Sequence, residues 1–483
     1  MSELSHGRAL AWLAEQAPDA EALVFGERRC SRGELDRRTN RLARAYARLG
    51  VTAGDLVTVA LPNGVEFLEA CMAAWKLGAT PNPVSARLPE SERRAIVDLA
   101  KPGLLVGGEP GSYDDHTCVP AGFEPNEEDG DAPLPDVVSE YVRAMTSGGS
   151  TGRPKLIVER TRALCDPEKA ESGMRAGGTT LTPGPLYHAG PFMTTWQQIL
   201  CGGRTILMER FDAEAALATI EREQVSWVLF VPTMMQRIWR LPEAVRDRFD
   251  LSSLERIMCT GAPSPEWLKR AWIGWLGPER IWEAYGGSER IAGCMISGVE
   301  WLEHPGSVGK PPPSRRFEAR RGDGSRCEPG EVGELWMLPE SGQGSTYFYV
   351  GAEPKADESG WETVGDMGHF DADGYLYLAD RKTDMIVTGG ANVFPAEVEA
   401  ALDAHPAVRS SAVIGMPDED LGQRIHAIVD TADAVLSETE MREHLADRLV
   451  LYKIPRTFEW VGEPLRDDAG KVRRSALREA RLA

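Results

Sequence analysis

The chain reads as an α/β protein. A large N-terminal domain of two parallel-type α/β subdomains plus a small β-barrel-like subdomain is followed by a small mobile α+β C-terminal domain. Three observations predict this. From about residue 56 to 284, short β-branched runs alternate with amphipathic stretches, as in parallel α/β units. From about 308 to 349 the pattern changes to short apolar runs broken by Gly and Pro. Beyond Asp380 a compact group of strands and helices closes the chain. The domains are drawn at 1–380 and 381–483, because 483 residues exceed one ordinary core.

In chain order, residues 6–50 give a helix, a strand at 22–25 and an amphipathic helix from 31, with Ser31 as N-cap, to 49. Strands follow at 56–61, 104–106 and 141–146, with a helix at 65–78. Residues 109–140, rich in Asp, Glu, Pro and Gly, read as a solvated acidic connection. Later strands are 204–208, 227–231, 256–260, 281–284 and 374–379, with helices at 213–223 and 265–275. The last segment carries helices near 395–404 and 438–449, and strands near 411–416, 425–429 and 458–461.

Net charge is −20, from 54 basic and 74 acidic residues, which excludes nucleic acid and anionic membrane as main partners. An anionic ligand then needs a local basic site. Eight scattered cysteines without a C-x-x-C read as reduced thiols, no basic-then-apolar leader opens the chain, and no apolar run is of spanning length. A cytoplasmic protein is expected, and a homodimer is compatible with the chain.

The most distinctive stretch is Thr146-Ser147-Gly148-Gly149-Ser150-Thr151-Gly152-Arg153-Pro154-Lys155. Glycines let backbone N–H groups converge on an anion, while hydroxyls and a cation add donors. A Walker loop needs Gly, four residues, then Gly-Lys-Ser/Thr; counting from Gly148 or Gly149 reaches Arg153 or Pro154 instead. Leu156-Ile157-Val158 follows as a strand, so the stretch is read as a strand–loop–strand phosphate clamp. An ordinary Gly/Ser hairpin is the alternative.

This loop resembles the signature of the adenylate-forming superfamily, which includes acyl- and aryl-CoA ligases, firefly luciferase and peptide-synthetase adenylation domains. Further stretches match in the family's order over essentially the whole chain. Leu186-Tyr187-His188-Ala189-Gly190 resembles the segment bordering the carboxylate pocket, and Thr260-Gly261-Ala262-Pro263 the turn laid against adenine. In Glu283-Ala284-Tyr285-Gly286-Gly287-Ser288-Glu289 the family places an aromatic on adenine, a hydroxyl on the α-phosphate and a carboxylate on Mg²⁺, here Tyr285, Ser288 and Glu289. Asp366 matches the reader of both ribose hydroxyls, and Arg381 a second ribose or phosphate contact. Lys382, Thr383 and Asp384 match the hinge, although many members carry Asp or Lys where this chain has Thr383. Gly389 and Gly390 match the pantetheine passage, and Lys471 the catalytic lysine on the mobile domain.

The resemblance implies ATP-dependent activation of a carboxylic acid as acyl-AMP, then transfer to coenzyme A, with ATP, Mg²⁺ and CoA as cofactors. His188, Ala189, Gly190, Gly286 and Gly287 would border the acid. Phe-Asp is absent at Tyr187-His188, which argues against an amino acid. The wording of the loop is closest to bile-acid-type ligases. Small residues in the pocket, with Met193, Trp196, Met295 and Ile296 as walls, lead to the expectation of a bulky steroid- or terpenoid-like acid. Alternatives stay open: an acyl carrier protein as acceptor, a medium-chain or aryl acid as substrate, or a nucleotide-binding scaffold without catalysis.

Overall fold

The alternating half of the sequence becomes two sheets. The computed structural model describes residues 3–113, 115–126, 128–148, 154–431, 436–467 and 470–482, without the side chains of Ser147 and Gly148. The larger sheet has eight strands in the order Gly293–Ser297, Ile281–Gly286, Arg256–Cys259, Trp227–Phe230, Thr179–Thr182, Arg204–Leu207, Glu21–Phe25 and Arg28–Ser31. Its interior pairs are parallel and its two edge pairs antiparallel. The second sheet is wholly parallel, in the order Thr80–Pro83, Leu56–Val59, Leu104–Val106 and Cys118–Val119. Interior strands such as Trp227–Phe230 are apolar and buried throughout because helices cover both faces. The N-terminal reading holds closely: helices span His6–Gln16 and Arg32–Arg48, the latter opened by a capping box on Ser31 and Glu34.

Two strands without a counterpart among the expected elements have their polar residues satisfied internally. Thr179–Thr182 carries three threonines yet is buried in mid-sheet. Thr180 donates to Gln198 Oε1 at 3.0 Å, and the Thr182 and Thr195 hydroxyls lie 2.7 Å apart. Both partners sit on the helix Ala189–Leu200, whose N-cap is His188. One hydroxyl–amide contact and one hydroxyl pair thus set the helix that presents the histidine. Thr80–Pro83, with two prolines, is tolerated as an edge strand of its sheet. There Asn82 accepts from Thr58 at 2.9 Å and donates to the Ala144 carbonyl at 2.7 Å, tying the sheet to the strand that leads into the Gly-rich loop.

The strand–loop–strand reading of that loop is correct at both flanks. Ala144–Gly148 and Pro154–Glu159 pair antiparallel, with Ser147 opposite Lys155 and Gly148 opposite Pro154. Gly149, Ser150, Thr151 and Gly152 lie outside the described residues. The Tyr347–Val350 strand completes this three-stranded sheet. The β-rich subdomain forms from Ser307–Gly309, Arg316–Arg320, Gly333–Leu338, Asp366–Phe370 and Leu376–Arg381, with two shorter strands, so it runs past the expected 308–349 to Arg381 and does not include Tyr347–Val350. The small C-terminal unit has its own core of Ile386, Val393, Val398, Leu402, Val413, Ala427, Met441 and Leu445.

The small unit rests on the body through the helix Pro232–Trp239, which the sequence reading overlooked. Gln236 and Arg240 both donate to the Asp403 carbonyl, at 3.3 and 3.0 Å, and Arg240 also donates to the Arg409 carbonyl at 3.0 Å. Arg473 meets Glu92 at 3.3 Å.

Glu283 requires a correction. Its carboxylate is buried against Lys269 Nζ at 2.6 Å, both side chains nearly inaccessible, so this side chain is not a nucleotide contact. Burial raises its pKa against the pull of Lys269. The pair fastens the strand Ile281–Gly286 to the helix Glu266–Leu276 and thereby sets the strand end that carries Tyr285. Breaking such a buried pair costs about 3–5 kcal/mol, whereas replacing both members by apolar groups costs far less. We expect Lys269→Met to lower the thermal midpoint strongly and Lys269→Met/Glu283→Leu to recover most of the loss. A double variant no more stable than the single one contradicts this.

Candidate active site

The cleft lies where the C-terminal ends of the large sheet meet the β-rich subdomain and the small unit. The strand Ile281–Gly286 delivers Tyr285, whose hydroxyl donates to Asp366 Oδ2 at 2.7 Å. Asp366 opens the strand Asp366–Phe370 and pairs in register with Arg381, whose Nε lies 3.4 Å from Oδ1. Tyr285 has its pKa held well above normal by burial and by the Asp366 charge. An aromatic, a carboxylate and a guanidinium therefore converge, as a nucleoside with a diol and a charged tail requires. Thr260 donates to the Ala284 carbonyl at 2.7 Å, which sets Gly261, Ala262 and Pro263 beside this strand. Gly261 adopts φ +91°, a left-handed conformation that favours glycine.

Glu289 follows on the next turn, with half-buried Ser288 before it. The Tyr349 hydroxyl donates to Glu289 Oε1 at 2.7 Å, and Lys155 Nζ stands 3.9 Å from that oxygen. The Glu289 carboxylate is a hard oxygen donor beside the phosphate clamp, a fit for Mg²⁺, which prefers one or two carboxylates with phosphate oxygens. When bound, the ion neutralises charge on the phosphates.

Lys471 reaches the same cleft from the small unit. Gly470, at φ +76°, packs so tightly on the body that a Cβ there would lie 2.7 Å from Thr233 Oγ1. Lys471 N donates to Asp467 Oδ1 at 2.9 Å, forming a tight loop. Partial loss of solvent lowers the Lys471 ammonium pKa; Arg381 adds to that lowering, while Asp467 and Glu289 oppose it. His188 is lowered to about 3, first by desolvation and then by Lys471, so its imidazole is neutral at physiological pH. Its Nε2 is buried without a hydrogen-bond partner among the described residues. Lys155 is likewise lowered, by burial and by Arg381 against Glu289. Three cations thus share one small region of a chain with net charge −20. This is the local basic site that an anionic ligand demands.

Of the acid pocket, His188, Ala189 and Gly190 lie together at the start of the helix Ala189–Leu200, where Arg143 binds the Ala189 carbonyl at 3.1 Å. A Cβ on Gly190 would touch Leu229 Cδ1 at 3.4 Å. Gly286 and Gly287 are exposed beside Glu289, and a Cβ on Gly287 would lie 2.8 Å from Glu289 Oε2. Two expected walls belong elsewhere. Trp196 is buried against Trp75, and Ile296 lies in the core of the large sheet. Gly389 and Gly390 sit exposed at a turn of the small unit, both at positive φ, and none of the cleft contacts among the described residues involves them. At the stretch expected as a hinge, Lys382 is fastened to the body through Gly365 and Glu334, at 2.9 and 3.0 Å, and Asp384 to Arg474 of the small unit at 2.8 Å. Thr383 lies exposed between them.

Tyr349 was missed, although Tyr347 and Tyr349 alternate on a strand next to a polar loop, the pattern of an aromatic face with polar tips.

The comparisons with known proteins agree with this geometry. Residues 10–341 match the AMP-binding enzyme family, and residues 397–471 its C-terminal domain. The chain belongs to the AMP-binding enzyme family. Among relatives, a feruloyl-CoA synthase from Amycolatopsis is 32% identical over 96% of both chains. A 2-succinylbenzoate–CoA ligase from Bacillus licheniformis is 29% identical over 98% of this chain and all of that one. The o-succinylbenzoate CoA synthetase of Bacillus subtilis, solved with its acyl-adenylate intermediate, superposes with a TM-score of 0.82 at 25% identity over 99% of each chain. A double mutant of that enzyme bound to a CoA product analogue gives 0.69 at the same identity and coverage. This chain is accordingly an AMP-forming acid–thiol ligase that uses ATP, Mg²⁺ and CoA. The likeness to bile-acid-type ligases gains no support from these relatives. No described helix is long and apolar enough to cross a membrane.

Among the described residues, Lys471 is the cleft cation that the small unit carries. Removing a well-placed charge donor costs about a hundred- to thousand-fold in rate. We expect Lys471→Ala to slow acyl-AMP formation by that order while leaving thioester formation from supplied acyl-AMP and CoA within about threefold of wild type. Parallel loss of both steps contradicts the role.

Proposed function

We propose that the protein activates an aromatic or arylalkanoic acid and transfers it to CoA, with the expected domain boundary at residue 381 shifted to Thr383, since Arg381 ends a strand of the body and Lys382 is fastened to the body. The observation that carries the acid class is the filled sheet face beyond Gly190. Trp227, Leu229, Met258 and Met174 are buried there and pack with Ala284 and Trp282. Leu229 of this cluster stands 3.4 Å from where a Cβ on Gly190 would lie, so the side of His188 and Gly190 that faces the sheet is backed by aromatic and sulfur groups, which suit a ring. The steroid-sized acid expected from the small residues loses two of its walls, since Trp196 and Ile296 are committed to the core. The ferulate and succinylbenzoate named for the relatives support an aryl acid.

In the first step Asp366, Tyr285 and Arg381 hold the nucleoside, and Lys155 with the Gly-rich loop holds the phosphates. Neutral His188 borders the acid without adding charge. Lys471 bridges the carboxylate and the α-phosphate as negative charge shifts, and Ser288 donates to the same phosphate. Bringing two anions into line is positioning plus electrostatics, which these groups supply before the reaction starts. For the second step the small domain turns about Thr383, the joint between a residue fastened to the body and one fastened to the lid. That turn withdraws Lys471 and brings Gly389 and Gly390 to the pantetheine path. The better superposition on an acyl-adenylate complex than on a CoA-analogue complex supports the reading that the present arrangement serves the first step.

The test is kcat/KM for ferulate, 2-succinylbenzoate, benzoate, octanoate, acetate and a steroid acid, read as pyrophosphate release with CoA present. We expect the best aryl acid to exceed acetate and the steroid acid by about tenfold or more, the size of effect a few methylenes produce. A leading steroid acid would overturn the acid class and leave the ligase assignment intact.

A further inference from the structure

Glu289 and Lys155 raise a problem that electrostatics alone would solve badly. A carboxylate and an ammonium this close normally close to a direct contact of about 2.8 Å, in which each spends itself on the other. Here they stand 3.9 Å apart. Tyr349 holds them there. Its hydroxyl donates to Glu289 Oε1 at 2.7 Å, and its ring lies under Lys155 Nζ, 3.7 Å from the centroid. The ring face offers the ammonium a favourable seat that is not a carboxylate.

Tyr349 is itself held rigidly. Its strand pairs with the return strand of the phosphate clamp, Tyr349 opposite Ile157 and Val350 opposite Leu156. Its ring packs edge-on against fully buried Tyr347 at 4.9 Å and into a cluster with Ile291 and Met337. Thr346, on the same segment, donates to the Glu289 carbonyl at 3.0 Å, so one strand sets both the main chain and the side chain of Glu289.

We infer that Tyr349 is a positioning residue for the first half-reaction: it spaces Glu289 and Lys155 so that one stays open to a divalent cation and the other to phosphate. This rests on the reading of Glu289 as the Mg²⁺ ligand and Lys155 as a phosphate contact. Two substitutions separate its two contacts. Tyr349→Phe keeps the ring and removes the hydroxyl; Tyr349→Leu removes both.

The experiment titrates Mn²⁺ into the full-length protein with ATP and no carboxylic acid, following free Mn²⁺ by its paramagnetic resonance signal. ATP binding without metal is measured beside it by calorimetry. Losing a hydrogen bond to a charged group costs about tenfold in affinity. For Tyr349→Phe we expect about that loss in Mn²⁺ affinity, with metal-free ATP binding and thioester formation from acyl-AMP within about twofold of wild type. For Tyr349→Leu metal-free ATP binding should weaken as well. A Tyr349→Phe protein that melts like wild type and binds Mn²⁺ equally well overturns the inference and leaves the ligase reading standing. So does equal loss of both half-reactions. A wild-type protein showing no ATP-dependent Mn²⁺ binding overturns the inference together with the metal assignment beneath it.

Discussion

The structure depends on carrying a lysine into a cleft that already holds two cations. Lys471 stands within the fields of Arg381, Glu289 and His188, and its ammonium is the less favoured for having Arg381 nearby. Lys155, Arg381 and Lys471 repel one another and Glu289 offsets only part of that, so contacts outside the cleft help to hold the arrangement. These are main-chain and packing contacts. Gly470 sits against Thr233 where no side chain fits, and carbonyls of Asp403 and Arg409 are caught by Gln236 and Arg240. None of these contacts engages the cleft, so the turn proposed for the small unit would release them without touching the cleft residues.

The rest of the chain serves that arrangement. The parallel sheet ends where Tyr285, Ser288 and Glu289 leave it, anchored from below by the buried Lys269–Glu283 pair. Hydroxyl contacts in the sheet interior align the helix Ala189–Leu200, and through it His188. A negatively charged chain with a small cationic cleft also favours small anions over polyanionic surfaces, because the far field repels what the near field attracts.

Much of this was legible in the sequence, for identifiable reasons. Strands such as Trp227–Phe230 and Leu104–Val106 announce themselves because burial on both faces makes them continuously apolar. The helix Arg32–Arg48 is marked by its own capping box. What stayed hidden is where polar residues are satisfied by partners far along the chain. Thr179–Thr182 looks like a loop until Gln198 and Thr195 are beside it, and Thr80–Pro83 looks like a turn until Thr58 and Ala144 meet Asn82. Glu283 fell inside a nucleotide motif, yet Lys269, fourteen positions earlier, claims its carboxylate. Among site residues, Tyr285, Glu289, Asp366, Arg381 and Lys471 were named from the chain alone and are brought to one cleft. Tyr349 was not, because its role comes from lying across the sheet from Ile157 and not from any local pattern.

The central claim is that the acid's own carboxylate attacks the α-phosphate, so that AMP leaves with one of its oxygens. Ferulate labelled with ¹⁸O in the carboxylate, turned over with ATP, Mg²⁺ and CoA, tests this directly by mass spectrometry of the nucleotide product. The account predicts AMP carrying a single ¹⁸O and unlabelled pyrophosphate. ADP with labelled phosphate, or unlabelled AMP accompanying thioester formation, would contradict it.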